Sequence, residues 1–159
     1  MTKDHEYSPI EKLESHASKK LLKIPGVSEI FRSSDNKFIS FLAEWCPNCD
    51  YEANNLKEYH SLFKSHLDFF LIMLFSTNEM NLIFKNKYGL EMNTIQGELD
   101  VKNERLNTQT QFFNFRTNVN DDRKWGVPLH IIKLNINEIY IIKGESVNEE
   151  VVSFVQKAL

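Results

Sequence analysis

The chain has 159 residues, of which 42% are hydrophobic and 26% charged, and its formal net charge is −3. This length predicts one domain over residues 1–159 with a substantial core. The weak negative charge gives no electrostatic reason to expect binding to nucleic acid or to an anionic membrane surface. No apolar run approaches the roughly 20 residues that a membrane-spanning helix needs.

The N-terminal segment predicts a helical extension over about residues 8–24. Ser8 would cap this helix, Pro9 would occupy its first position, and Pro25 would follow its end. The first seven residues are polar and lack the apolar region of a secretory signal. We therefore expect a cytoplasmic protein, with export as the alternative if a signal has been removed.

The middle of the chain alternates apolar runs with helical patterns. Residues 27–31 predict a short strand or turn, and residues 38–42 and 68–75 are apolar runs short enough to be buried strands. A helical pattern follows the first buried run as far as about His66. The order strand, helix, strand, helix predicts parallel pairing in an α/β fold.

A second helical pattern begins at Thr77 or Asn78 and ends at Gly89. Four of its side chains have the spacing of one buried face: Met80, Ile83, Phe84 and Tyr88.

Near the C terminus, residues 129–134 and 138–142 predict a β-hairpin joined at residues 135–137, and residues 146–158 predict the closing helix.

The stretch before this hairpin, residues 91–124, is harder to interpret. We expect a strand near residues 94–99 and a helix or strand near residues 110–115, because a structureless loop of this length is uncommon in a compact domain. Three aromatic residues in the stretch predict either a local core or a substrate-selecting surface: Phe112, Phe113 and Phe115.

Both cysteines of the chain, Cys46 and Cys49, follow the strand predicted at residues 38–42 and begin a helical pattern. A strand that leads into a C-x-x-C at a helix start is typical of a thioredoxin-like redox site. Unpaired backbone N–H groups and the helix dipole favour a thiolate there. Cys46 would be the accessible nucleophile, whereas Cys49 lies on the apolar face that continues at Ala53 and Leu56 and would be buried.

Two other interpretations of the cysteine pair remain open. The pair could form half of a zinc site, or the two cysteines could be inert core residues. Zinc would need two further ligands, but the chain has no other cysteine, and its histidines show no H-x-x-x-H pairing. We expect no metal and no cofactor. The histidines are His5, His16, His60, His66 and His130.

Residues 43–49, Ala-Glu-Trp-Cys-Pro-Asn-Cys, resemble the active-site segment of the thioredoxin superfamily. Residues 125–128, Trp-Gly-Val-Pro, resemble its cis-proline loop. The likeness runs from about Lys37 to the C terminus, apart from residues 90–124. It implies a thioredoxin-like fold with a central mixed β-sheet flanked by helices, an N-terminal helix, and an insertion at about residues 91–124 before the cis-proline loop.

The resemblance implies a protein disulfide oxidoreductase. Cys46 would attack a substrate disulfide and Cys49 would resolve the mixed disulfide. Trp45, Val127 and Pro128 would contact the substrate. The partners would be protein disulfide or dithiol substrates and an unidentified redox partner. The alternative is a non-enzymatic binding or scaffold protein with this fold, while peroxide reduction would need machinery that the sequence does not display.

The sequence departs from the family around the motif. Ser40 stands where the family often carries a buried carboxylate that assists the second cysteine. Glu44, Asp50 and Glu52 surround the motif, and acidic neighbours raise a thiol pKa, so the direction of catalysis stays open. Release from the mixed disulfide should be slow near neutral pH unless Glu44 or water supplies the base. His130 could face the site, although a histidine of this kind is more often packed or solvated.

Overall fold

The computed structural model describes residues 5–135 and 137–159. Its centre is a six-stranded mixed sheet in the order β1-β6-β5-β2-β3-β4. The strands are β1 (Glu11–Lys12), β2 (Lys37–Leu42), β3 (Asp68–Met73), β4 (Asn93–Gln96), β5 (Leu129–Leu134) and β6 (Glu138–Ile142). The helices are α1 (Ser15–Leu21), α2 (Val27–Ile30), α3 (Pro47–Phe63), α4 (Asn78–Tyr88), α5 (Glu104–Asn107), α6 (Gln111–Asn118) and α7 (Asn148–Ala158).

Strand β2 lies inside the sheet and leads directly to the cysteine motif. It pairs in parallel with β3 and antiparallel with β5. All six of its residues are buried, as its continuous apolar pattern predicts. The central mixed sheet flanked by helices is therefore confirmed.

The N-terminal segment differs from the predicted helix over residues 8–24. Helix α1 begins only at Ser15, and the chain before it lies along the sheet edge. The backbone N–H of Ser8 donates to Glu145 O at 3.0 Å, and that of Leu13 donates to Ile139 O at 2.8 Å. Strand β1 and Leu13 cover the outer edge of β6, so pairing with this strand, and not a local cap, determines the structure of the segment.

Residues 27–31 also differ from the sequence prediction, which was a strand or turn. Val27–Ile30 form the single helical turn α2, which follows Gly26 in a left-handed conformation with φ 94°. Val27 and Ile30 are both buried. Residues three apart share one side of a helix, so this turn places both side chains in the core.

Helix α4 has the predicted bounds but presents a different face to the core. Met80 and Ile83 are exposed, while Asn81 and Phe84 are buried. The Asn81 side-chain amide donates to Gln96 Oε1 on β4 at 2.9 Å. This polar contact turns Met80 and Ile83 toward solvent, and the prediction that they face inward is wrong.

Residues 91–124 form regular structure, and their strand lies at one edge of the sheet. They contain β4, α5 and α6, close to the predicted positions of a strand and of a helix or strand. Phe112 and Phe115 of α6 are buried, and the Phe112 ring stacks on that of Phe41 at a centroid distance of 4.8 Å. These two aromatic residues therefore belong to the main core, which favours the packing interpretation over a substrate-selecting surface.

The C-terminal elements match their predictions. Strands β5 and β6 form the expected antiparallel hairpin, and α7 closes the chain with Val151 and Val155 buried. The predicted connection at residues 135–137 includes Ile136, which lies outside the described residues. Within the described part of the chain, no helix has the length and apolar character needed to cross a membrane.

Candidate active site

Cys46 is the N-cap residue of α3, and Cys49 lies in the first turn of that helix. The backbone N–H of Cys49 donates a hydrogen bond to Cys46 Sγ at 3.3 Å. Both are free cysteines. The exposed fraction is 6% for Cys46 and 0% for Cys49. Only Cys46 can be reached from solvent, although it is less accessible than the sequence predicts.

The surroundings of the two sulfur atoms shift their pKa values in opposite directions. Hydrogen bonds from the Cys49 thiol and from the backbone N–H groups of Cys49 and Asn48 lower the pKa of Cys46, against the opposing effects of burial and of Glu6. Burial raises the pKa of Cys49 well above its usual value, and the interactions with Cys46 and Glu52 raise it further. Cys46 is thus the better thiolate of the pair.

Two of the acidic residues near the motif have hydrogen-bond partners of their own. Glu44 accepts a hydrogen bond from the Ser76 hydroxyl at 2.7 Å, and Asp50 accepts one from the Tyr88 hydroxyl at 2.8 Å. The net shift of the Cys46 pKa is downward. The Cys49 thiol and the backbone N–H groups at the helix start therefore outweigh burial and Glu6.

The loop of residues 125–128 lies opposite Cys46. Its Val127–Pro128 peptide bond is cis, the geometry that the resemblance implies. The Cys46 thiol donates to the backbone oxygen of Val127 at 3.6 Å. The start of α3 and this loop, 81 residues apart in sequence, therefore form the two sides of one site.

Aromatic side chains form the surface beside Cys46. The Trp45 and Trp125 rings meet edge to face at a centroid distance of 5.4 Å, and Phe75 contacts both. The Trp45 indole N–H donates to the backbone oxygen of Phe75 at 3.1 Å, which fixes the ring. The Lys102 ammonium lies 3.9 Å from the Trp45 ring centroid. Residues 91–124 therefore reach the site through the Lys102 ammonium. The contact does not involve Phe112, Phe113 or Phe115.

A buried polar chain lies behind Cys49. His130 Nε2 lies 2.7 Å from Glu52 Oε2, and His130 Nδ1 lies 2.7 Å from Ser40 Oγ. All three side chains are almost completely buried. Glu52 follows Cys49 by three residues on α3, and side chains with this spacing are neighbours on a helix. The chain Ser40–His130–Glu52 therefore links β2, β5 and α3.

The Glu52 carboxylate is saturated with donors. It accepts hydrogen bonds from the Asn55 amide at 2.8 Å, from the Ser146 hydroxyl at 2.9 Å and from the Ser146 backbone N–H. Burial alone raises the pKa of Glu52, but His130 and these donors outweigh it, so the net pKa is lowered. Tyr59 OH, 2.7 Å from Ser146 Oγ, donates to that oxygen, because the Ser146 proton is directed to Glu52.

Sequence reasoning grouped Glu52 with the charges around the motif, whereas it is a buried carboxylate beside Cys49. Its spacing could have indicated this burial, because position 52 follows Cys49 by three residues and lies on the side of α3 that the apolar pattern buries. The sequence also predicted that His130 is either packed or solvated. His130 is buried and has two polar partners, so the prediction of packing is confirmed. The Ser40 hydroxyl lies within hydrogen-bond distance of the His130 ring.

Among residues 5–135 and 137–159, no group of three or more His, Cys, Asp or Glu side chains is arranged to hold a metal ion. The described part of the site thus consists of thiols, main-chain groups, indoles and the buried Ser40–His130–Glu52 chain.

Solved structures with a similar fold include several thiol-disulfide exchange proteins. A secreted disulfide oxidoreductase from Mycobacterium tuberculosis, described as homologous to E. coli DsbE, has a TM-score of 0.57 and 15% identity, covering 82% of this chain and 86% of its own. The thioredoxin domain of a thiol-disulfide oxidoreductase from Bacteroides vulgatus has a TM-score of 0.60 and 9% identity, covering 100% of both chains. A secreted thiol-disulfide isomerase from Corynebacterium glutamicum has a TM-score of 0.58 and 14% identity, covering 80% and 71%.

No protein-family model matches the chain, and no curated protein sequence matches it significantly. At 9–15% identity, the likeness to these three structures concerns the fold. The chain has a thioredoxin-like fold and carries a C-x-x-C pair at the start of α3.

Proposed function

We propose that the protein is a thiol-disulfide oxidoreductase that acts on protein disulfides or dithiols. The observation that carries this proposal is the position of Cys46. Its sulfur caps the start of α3, has a lowered pKa, and faces the Val127 oxygen across the site. A thiolate with an access route and a buried partner thiol is the minimum that disulfide exchange requires.

In the reductive direction, the Cys46 thiolate attacks one sulfur of a substrate disulfide. A Cys46–substrate disulfide forms, and the other substrate sulfur leaves as a thiolate that takes up a proton. The Cys49 thiol then loses its proton and attacks Cys46 Sγ. The Cys46–Cys49 disulfide forms as the Cys46–substrate disulfide breaks, and the second substrate sulfur leaves as a thiolate that takes up a proton. The released dithiol has two more electrons than the substrate disulfide had. The reverse sequence oxidises a substrate dithiol.

Glu52 is the group that we propose to assist the second step. The Cys49 thiol must be deprotonated while it is fully buried, and burial opposes this. Glu52 has a lowered pKa and is ionised at neutral pH, one helical turn from Cys49. To accept the proton, it would exchange one of its present donors for the Cys49 thiol or a water molecule, so the carboxylate that the family often carries at position 40 would be supplied here from α3.

Trp45, Val127 and Pro128 would contact the substrate. An extended peptide that crosses Cys46 would pair with the main chain at Val127, which gives affinity with little dependence on side chains. The exposed edges of Trp45 and Trp125 would give it an apolar surface, and Lys102 would add a positive charge there. We propose that these elements form one thioredoxin-like domain over residues 1–159.

Of the two compartments considered, we favour export. Two of the similar structures are of proteins described as secreted, from M. tuberculosis and C. glutamicum. Outside the cytosol, a C-x-x-C protein meets substrates that contain disulfides. Location can be tested by fractionating cells that produce the native gene product.

Catalysis of insulin disulfide reduction by dithiothreitol tests the proposal. The wild-type protein should accelerate the reaction, and Cys46→Ser should abolish the acceleration. The matched control is Ser61→Ala, which changes an exposed hydroxyl on the same helix. A protein that binds a partner but has no disulfide turnover with insulin or a peptide disulfide would instead be the non-enzymatic scaffold.

A further inference from the structure

Arg123 lies in the turn between α6 and β5, directly before the cis-proline loop. Its guanidinium is held by Asp121 in a two-point contact, with Nε 2.9 Å from Oδ1 and Nη2 2.8 Å from Oδ2. This fork geometry fixes the plane of the guanidinium and leaves its other N–H groups with defined directions. A second carboxylate, that of Glu6, lies 3.8 Å from Nη1.

Those remaining N–H groups are directed at the cis-proline loop. Nη2 of Arg123 donates to the backbone oxygen of Gly126 at 3.1 Å, and Nη1 donates to that of Pro128 at 3.1 Å. The two carbonyls flank Val127, whose own carbonyl faces the Cys46 thiol at 3.6 Å. One side chain thus holds the main chain on both sides of the residue that lies opposite the nucleophile.

A second arginine supports the loop from inside. Arg116 of α6 is 1% exposed, and its Nη1 donates to the backbone oxygen of Arg123 at 2.7 Å. Gly126 has φ +72°, and a Cβ atom at this position would overlap the Arg116 guanidinium. The loop therefore packs directly on Arg116, and position 126 is restricted to glycine both by its conformation and by this contact.

We propose that Arg123 is a positioning residue for peptide substrates, which it serves by fixing the main chain of the cis-proline loop at Val127. This inference rests on the proposed function and gives the segment before the loop a role in it. A peptide substrate pairs with the loop main chain, so its reaction depends on the orientation of that main chain. A small disulfide without a peptide backbone needs only the Cys46 thiolate.

The experiment compares two oxidants of the reduced protein in single-turnover reactions. One is a peptide with an internal disulfide in an extended segment, and the other is 2-hydroxyethyl disulfide. Formation of the Cys46–Cys49 disulfide is followed by quenched alkylation and mass spectrometry. The main variant is Arg123→Lys, which keeps the charge but cannot donate to both carbonyls from a fixed plane. The control is Lys124→Gln, which removes an adjacent, exposed charge.

In Arg123→Lys, the rate with the peptide should fall about tenfold, as expected when directional hydrogen bonds from a charged group are lost. The rate with 2-hydroxyethyl disulfide should stay within about twofold of wild type, because the geometry at Cys46 is retained. Lys124→Gln should change neither rate. Asp121→Asn, which loosens the guanidinium without removing it, should lower the peptide rate in the same direction by a smaller factor.

Three results would overturn the proposal. Equal falls with both oxidants would mean that Arg123 acts on the thiols or on the fold, and unchanged rates with both would mean that it positions nothing. If Arg123→Lys does not fold, an Asp121→Asn variant that folds and has an unchanged ratio of the two rates would also contradict it. A wild-type protein that reacts with the small disulfide but not with any peptide or protein disulfide would refute the proposed function itself.

Discussion

The His130 imidazole lies 2.7 Å from the Glu52 carboxylate, and neither side chain is exposed to solvent. The contact joins β5, directly after the cis-proline loop, to helix α3 one turn beyond Cys49. A buried carboxylate without partners would be strongly destabilising, so His130, together with the donors on Asn55 and Ser146, allows Glu52 to remain ionised there.

This arrangement predicts the effect of Glu52→Gln on release from a mixed disulfide with Cys46. The substitution removes a charge that raises the pKa of Cys49, and by itself this would make release faster. It also removes the proposed proton acceptor. We expect the second effect to dominate, with release at neutral pH slowed about tenfold or more, because general base catalysis contributes factors of about 10² or more. The measurement is single-turnover release from a preformed mixed disulfide between pH 6 and pH 10.

Glu58→Gln is the matched control, because Glu58 lies on the same helix but is exposed and bonds to Asn148. It should leave the pH profile unchanged. Faster release in Glu52→Gln at neutral pH would mean that Glu52 acts only as a repelling charge, and the role of proton acceptor would be abandoned.

A second prediction concerns stability. His130→Gln leaves the Glu52 carboxylate buried without its main partner, which should raise the pKa of Glu52 and lower the free energy of unfolding by about 3 kcal/mol at pH 7. Denaturant unfolding measures this loss, with His66→Gln, an exposed histidine, as the control. The double variant with Glu52→Gln should lose less than the sum of the single losses, because the two residues interact. Strict additivity would argue against the pair.

A third prediction concerns acid unfolding. The pKa values of Glu52 and Asp121 are lowered from their reference values of 4.5 and 3.8, for Glu52 mainly by His130 against burial and for Asp121 mainly by Arg123 against burial. A carboxyl with a lower pKa in the folded state stabilises the fold above its unfolded pKa and loses this effect as pH falls through the folded value. Unfolding free energies between pH 5 and pH 2, a range that extends below the reference value of 3.8, should therefore decline less steeply in Asp121→Asn than in wild type. An identical pH dependence of the two proteins would contradict the assignment.

A fourth prediction separates the two thiols. In the reduced protein, Cys46 should react with iodoacetamide at a lower pH than Cys49, because hydrogen bonds at the helix start lower its pKa whereas burial raises that of Cys49. Peptide mapping after timed alkylation at several pH values gives both rates. Equal rates over this range would remove the distinction between nucleophile and resolving thiol.

The strands and helices around the site could be predicted because their patterns are local. Residues 38–42 and 129–134 are buried in β2 and β5, and β3 is buried at Phe69 and at residues 71–73, and continuous apolar runs of this length indicate buried strands. The start of α3 followed from the strand, the C-x-x-C spacing and Pro47.

The errors occur where distant contacts override local signals. Ser8 and Pro9 form a good helix start by themselves, but the open edge of β6 holds this segment in an extended form. Glu52 and His130 are 78 residues apart, and no spacing in the sequence indicates that they meet. The contacts of Arg123 to the cis-proline loop likewise depend on the turn after α6, which its polar sequence does not predict.

The central claim is that Cys46 attacks substrate disulfides and Cys49 resolves the product. Intact-protein mass spectrometry of Cys49→Ser after reaction with a peptide disulfide tests it most directly, with Cys46→Ser as the comparison. We predict a long-lived adduct of one peptide on Cys46 in Cys49→Ser, which a reductant removes, and no adduct in Cys46→Ser on the same timescale. An adduct that forms on Cys49 in Cys46→Ser as fast as on Cys46, or no adduct in either variant, would contradict the account.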